Sequence, residues 1–153
     1  MGEQFTYTAT HKKTTGDWAI DGLLAGVLGG VVMMATLVLA ALMDGKAPGA
    51  VPAWFDPAQR DSALLGLVAH LAVSAIYGAV FAVLLQALGR VRPAWGRGSW
   101  LKGLMYGVAL FALAWFVVLP AADSPLLQLP PVDLLLGHVA FGLVLGARLA
   151  RCR

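Results

Sequence analysis

The sequence predicts an all-α polytopic membrane protein, a four-transmembrane-helix antiparallel bundle, and three observations carry that expectation. Of the 153 residues, 59% are hydrophobic and only 12% are charged, about half the charged share of an ordinary soluble domain. The mean hydropathy is +0.78. Stretches free of Asp, Glu, Lys and Arg run from Gly22 to Met43, Ser62 to Gly89, Gly103 to Ala122 and Leu134 to Ala147, and a membrane span takes about 20 apolar residues. Spans are therefore expected at about 18–43, 62–89, 100–121 and 131–150. They form one transmembrane domain, residues 17–150, after a polar segment of residues 1–16. Too little chain is left over for a folded domain outside the membrane.

Residues 1–16 are polar and show no helical periodicity. Span one carries Gly22, Gly26 and Gly30 at i, i+4 and i+8, a spacing that aligns them on one helix face. Lipid tails are as apolar as leucine, so helices in a bilayer associate through close packing of small residues, and such a stripe is a packing face. The connection from Asp44 to Arg60 holds Pro48, Pro52, Pro57 and the pair Trp54-Phe55. It reads either as an ordered cap on the membrane interface or as a simple linker. Span two contains His70, Ser74 and Tyr77, with Gln86 nearer its far end. Span three pairs Gly103 with Gly107 and carries Tyr106, Phe111, Trp115 and Phe116, an aromatic face whose rings fill the space the glycines leave. Pro120 and Pro125 end it, and Pro130-Pro131 fall in the first turn of span four, where proline is tolerated. Span four places His138, Gly142 and Gly146 at four-residue intervals.

Charge placement orients the bundle. Lys12 and Lys13 precede span one, Arg90, Arg92, Arg97 and Lys102 fill the connection between spans two and three, and Arg148, Arg151 and Arg153 close the chain. Short loops rich in Lys and Arg stay on the cytoplasmic side, so both termini are expected there. Trp18, Trp54, Trp95 and Trp100 fall near span boundaries, where an indole anchors at headgroup depth. The net charge of +3 follows from these topology-setting residues and gives no reason to expect a nucleic-acid partner. The one cysteine, Cys152, has no partner for an intrachain disulfide.

The two halves of the chain echo each other, as two duplicated helical hairpins would. Gly22 and Gly26 match Gly103 and Gly107, while His70, Ser74 and Gly78 match His138, Gly142 and Gly146. Of the deep polar residues, Thr36, His70, Ser74, Tyr77 and His138, none carries a permanent charge, whereas ion pathways and proton relays usually need one. At about 1.5 Å per residue, both histidines lie in the bilayer half nearer the outer loops. Spans two and four are diagonal in an up-and-down bundle, so the imidazoles are expected to meet across the core. Ser74 and Gly78 beneath His70, with Gly142 and Gly146 beneath His138, would then line a slot. Two readings of the histidines follow. Either each imidazole makes a register-setting hydrogen bond to a neighbouring helix, or the pair supplies the axial ligands of haem b, its flat macrocycle against the small residues.

A metal site lacks third and fourth ligands; Met33 and Met34 suit only a soft ion such as Cu(I) and serve more simply as core filler. Neither a nucleophile–base pair nor a phosphate-binding loop can be assembled. The expectation is a non-catalytic protein of the lipid bilayer without a cofactor, an accessory or assembly subunit that packs against a larger membrane complex or forms a homo-oligomer. The alternatives are a cytochrome-like protein with haem b between His70 and His138, and a small-solute or metal permease.

One resemblance adds to this. Ala69-His70-Leu71-Ala72-Val73-Ser74 with Tyr77-Gly78, Gly103-Leu104-Met105-Tyr106-Gly107 with Trp115, and Leu136-Gly137-His138 with Phe141-Gly142 and Gly146 resemble a group of small bacterial four-span membrane proteins of unknown function. The likeness covers the chain from about Asp21 onward. It implies a single four-helix domain in a bacterial cytoplasmic (inner) membrane and supplies no activity. Span three departs from the group, with one tryptophan, Trp115, where two adjacent ones are frequent.

Overall fold

The structure, a computed structural model, describes residues 13–92 and 100–151. Residues 1–12, Trp95, Arg97, Cys152 and Arg153 lie outside the described residues. Four helices are long and apolar enough to cross a membrane: Thr15–Met43, Ala63–Val91, Trp100–Ala121 and Pro131–Arg151, spans one to four. Among the described residues there is no strand. Span one starts before its apolar run because Thr14 and Asp17 form a capping box: the Thr14 N–H donates to Asp17 Oδ2 at 2.7 Å, and the Asp17 N–H to Thr14 Oγ1 at 3.2 Å. Thr15 and Gly16, from the polar segment, thus belong to the helix. Ser62 caps span two by accepting from the Leu65 N–H at 3.3 Å.

The spans alternate in direction, so one end of the bundle carries the helix termini at Thr15, Val91, Trp100 and Arg151 and the other carries Met43, Ala63, Ala121 and Pro131. Spans one and two, three and four, and one and four pack along their lengths, while two and three barely approach through their backbones. Glycine explains the two hairpins. A methyl group added at Gly26 would overlap the Ser74 carbonyl oxygen, and one at Gly78 the Gly22 carbonyl oxygen. In the second hairpin Gly103 meets the Gly142 carbonyl oxygen and Gly107 that of His138. The same small-residue seam is built twice. By these contacts Ser74 corresponds to His138, one turn away from the alignment in which the sequence echo pairs the histidines.

The connection Asp44–Arg60 is an ordered cap. A short helix, Ala50–Trp54, buries Val51 completely, and its Pro52 carbonyl sits on Gly66, where any side chain would collide. Behind it the buried Asp56 carboxylate accepts from the N–H groups of Ala58 (2.9 Å), Arg60 (3.2 Å) and Ser62 (3.1 Å). These bonds hold a loop in which Gln59 and Asp61 adopt φ of 51° and 56°, a left-handed conformation that is costly for a glutamine. The bond from Ala58, with those from Ser62 and Arg60, holds the Asp56 carboxyl below its ordinary value of 3.8 against the effect of burial. Its contribution is therefore complete above that value and is lost as pH falls through the lower folded value. The thermal-stability difference between the wild type and Asp56→Asn should stay constant from about pH 8 to 5 and shrink in stronger acid; a difference that is already vanishing near neutrality contradicts this role.

Span three is interrupted. Its α-helical turns give way to a π-helical turn over Ala114–Val118, just before Pro120. Proline lacks an N–H and crowds the carbonyl four residues back, here that of Phe116, and one wide turn relieves both. Span three is also the least enclosed of the four.

Candidate functional site

Between spans two and three, toward the capped end, lies a half-open cleft of about 300 Å³. His70, Val73, Ser74 and Tyr77 of span two form one wall; Leu110, Leu113, Ala114 and Val118 of span three form the other. Met33 of span one and His138 and Phe141 of span four close the back, and Phe55, Pro57 and Leu126 of the two connections roof it. The volume lies at the small end of ligand pockets, and the mostly apolar lining with a few polar groups is typical of them.

At the floor of the cleft, near the middle of span two, the same two spans are tied together. The Tyr106 hydroxyl donates to the Tyr77 carbonyl at 2.9 Å, and the Tyr106 ring stacks on Phe81 with centroids 4.7 Å apart. This closes the cleft below. Tyr106→Phe should cost about 0.6–1.5 kcal/mol, the range for a hydrogen bond between membrane helices, measured by reversible unfolding in mixed micelles. No change would mean that the ring stack alone closes the seam.

The histidines use their hydrogen bonds differently. His70, 5% exposed, donates its Nε2–H to the Gly30 carbonyl of span one at 3.0 Å, and the Phe55 ring meets its imidazole edge-on, centroids 4.6 Å apart. His138, 8% exposed, donates its Nδ1–H to the Leu134 carbonyl of its own helix at 2.8 Å, with Phe111 edge-on at 6.0 Å. A carbonyl oxygen only accepts, so each partner fixes the tautomer. The second nitrogen of each ring, Nδ1 of His70 and Nε2 of His138, is left with its lone pair. Neither has a hydrogen-bond partner among the described residues, and neither is sealed from a solvent-sized probe.

Of the small residues expected to line a slot with the histidines, only Ser74 reaches the cleft. Gly78 is pressed against Gly22 and Gly26, Gly142 against Gly103 and Gly107, and Gly146 against Gly103. Close helix approach accounts for this correction. Gly78, Gly142 and Gly146 lie where spans one and two, and spans three and four, approach backbone to backbone, so the space beside them is taken by the neighbouring helix. Sequence reasoning did not single out Phe55 and Pro57 as a roof, or Leu110, Leu113 and Ala114 as a wall. The available signals were the proline-rich connection and Pro120, whose effect on the preceding turn moves that part of span three. The aromatic face divides: Tyr106, Phe111 and Trp115 pack inward, whereas Phe116 is 72% exposed. Thr36 satisfies itself by donating to the Val32 carbonyl at 2.9 Å. Among the described residues no three His, Cys, Asp or Glu side chains converge on a possible metal position.

The chain belongs to a family of unknown function: the family model described as Family of unknown function (DUF6789) matches residues 17–153. No curated protein and no solved structure matches it.

Proposed function

Since membership of this family brings no activity with it, we propose from the site alone that the protein is a small, non-catalytic membrane protein that holds a lipophilic molecule in the cleft between spans two and three. In this reading it serves as an accessory partner of a larger membrane assembly. The observation that carries it is the cleft, roofed by an ordered cap, lined almost wholly by apolar side chains and supplied with two buried imidazoles. Lys13, Arg90, Arg92, Lys102, Arg148 and Arg151 gather at the terminal end of the bundle, so that end is cytoplasmic by the distribution of basic residues, and the cleft faces the outer leaflet of a bacterial inner membrane. A lipophile reaches it sideways from the bilayer without crossing water. The accessory role draws support from span three, the least enclosed of the four, whose Met105 and Phe116 stand 66% and 72% exposed and are open to another helix or to lipid.

Ala114→Trp, which fills the cleft from the π-helical turn, tests the site. Organic extracts of wild-type protein purified in mild detergent should contain a small molecule that is at least tenfold depleted in the variant. Equal extracts would contradict the site. Recovery of the protein solely as a lone monomer would count against the accessory role. The alternative with haem b between His70 and His138 keeps the pair of free ring nitrogens in its favour, but the glycines proposed to face the macrocycle are committed to helix packing. A Soret band lost in His138→Ala would restore it; a colourless preparation at full haem supply removes it.

A further inference from the structure

The hydrogen bonds of the two histidines decide more than their tautomers. Both histidines line the cleft, and their second nitrogens, His70 Nδ1 and His138 Nε2, are acceptors, because the protons of both rings are committed to the Gly30 and Leu134 carbonyls. The remaining polar atoms on the walls are the hydroxyls of Ser74 and Tyr77, which donate or accept as required. A ligand polar group that only accepts, such as a ketone, an ether or a quinone carbonyl, would leave two buried acceptors facing it unsatisfied. A ligand hydroxyl donates to one of them, and a ligand with two hydroxyls has a proton for each. Around these nitrogens the surfaces are aromatic: Phe55 against His70, with Tyr77 and Phe141 on the same lining, which favours a flat ring over a flexible chain.

We propose that the cleft selects a lipophile with a hydroxyl on an aromatic ring, a phenol or hydroquinone, whose O–H donates to His138 Nε2 or His70 Nδ1 while its ring lies among Phe55, Tyr77 and Phe141 and its tail extends between spans two and three into the bilayer. This rests on the reading of the cleft as a ligand site and adds the chemistry of what enters. It also gives the protein a redox preference without redox chemistry of its own. A hydroquinone donates two hydrogen bonds and its quinone none, so the cleft holds the reduced form in preference to the oxidised one.

The test uses the full chain in lipid nanodiscs and tritiated 4-octylphenol, with unlabelled 4-octylphenol, its methyl ether 4-octylanisole and 1-dodecanol as competitors. The ether matches the phenol in shape but has no proton to donate. The expected result is saturable phenol binding against which the ether competes on the order of tenfold more weakly or worse, since a site built to pair with a hydroxyl rejects the analogue that lacks it. Dodecanol, a donor without a ring, should also compete more weakly than the phenol. In His138→Leu, which removes one of the two acceptors together with a nitrogen whose protein bond is internal to span four, the preference for phenol over ether should shrink. In His70→Leu/His138→Leu phenol and ether should bind alike; an undiminished preference in the double variant overturns the assignment to the two imidazoles. Equal competition by phenol and ether in the wild type overturns the hydroxyl selection and leaves the cleft as an unselective lipophile site. Dodecanol equal to the phenol overturns the aromatic part. Absence of saturable binding by any of the three overturns the ligand site itself.

Discussion

Gly26→Val and Gly103→Val should each destabilise the bundle by about 3 kcal/mol or more, the upper range for forcing volume into a closed contact. The added atoms would meet the Ser74 carbonyl oxygen in the first case and the Gly142 carbonyl oxygen in the second. Both are backbone groups, which cannot rotate aside as a flexible side chain would, so the helices themselves have to separate. With no hydrophobic expulsion between lipid-exposed helices, close approach is the main source of their affinity, and an increase in separation forfeits dispersion contacts along the whole seam. Gly49→Ala is the control, because its nearest neighbour, Ala63 Cβ, would lie at an ordinary 3.9 Å. Unfolding in mixed detergent micelles separates the cases. Seam variants as stable as the control would mean that the bundle is not held by its glycines.

His70→Ala should cost about 1–2 kcal/mol in the same assay, and His138→Ala distinctly less, although both imidazoles are buried and hydrogen-bonded. The difference follows from where the bonds go. His70 binds the Gly30 carbonyl of span one, a contact that exists only when the helices are assembled and so falls in the range for interhelical hydrogen bonds in membranes, with lost packing added. His138 binds the Leu134 carbonyl within its own helix. Separated spans remain helical in the bilayer because their backbone groups have no other partners there, so that bond persists when the bundle comes apart and cancels from its stability. Equal losses would show that the His138 ring contributes through packing as much as His70 does through its bond. The pair is therefore divided in role: His70 sets register and accepts in the cleft, while His138 is the more dispensable to the fold and the cleaner probe of ligand binding.

Much of this architecture is legible in the sequence. Uncharged stretches bounded by charged residues locate all four spans, since a bilayer interior leaves few alternatives for such segments. The glycine spacing identifies the faces that pack, and the proline-rich connection with Trp54-Phe55 announces an ordered cap as one of two readings. Helix separation is the part that escaped. His70 and Gly78 both face span one, and whether the small residues between two helices leave a slot or let the backbones close on each other depends on how near the helices come, for which composition carries no signal. The cleft escaped for a related reason. Its floor is the bond between Tyr106 and the Tyr77 carbonyl, and a π-helical turn precedes Pro120 along its other wall. The proline is visible in the sequence, whereas the wall of Leu110, Leu113 and Ala114 depends on how span three rotates and tilts around it. Asp56 belongs with these. As a single acidic residue in a loop it looks like a surface charge, and only its three backbone donors reveal it as the centre of the cap.

The central claim is that a lipophile enters the cleft between spans two and three, and the most direct measurement is covalent mapping of where one sits. A diazirine-bearing alkylphenol, photolysed on the protein in nanodiscs and located by peptide mass spectrometry, should label residues 69–77 and 110–119, with the labelling suppressed by excess 4-octylphenol. Labelling spread over lipid-facing positions such as Met105 and Phe116, indifferent to competitor, would contradict the account and leave the cleft a packing defect between two helices.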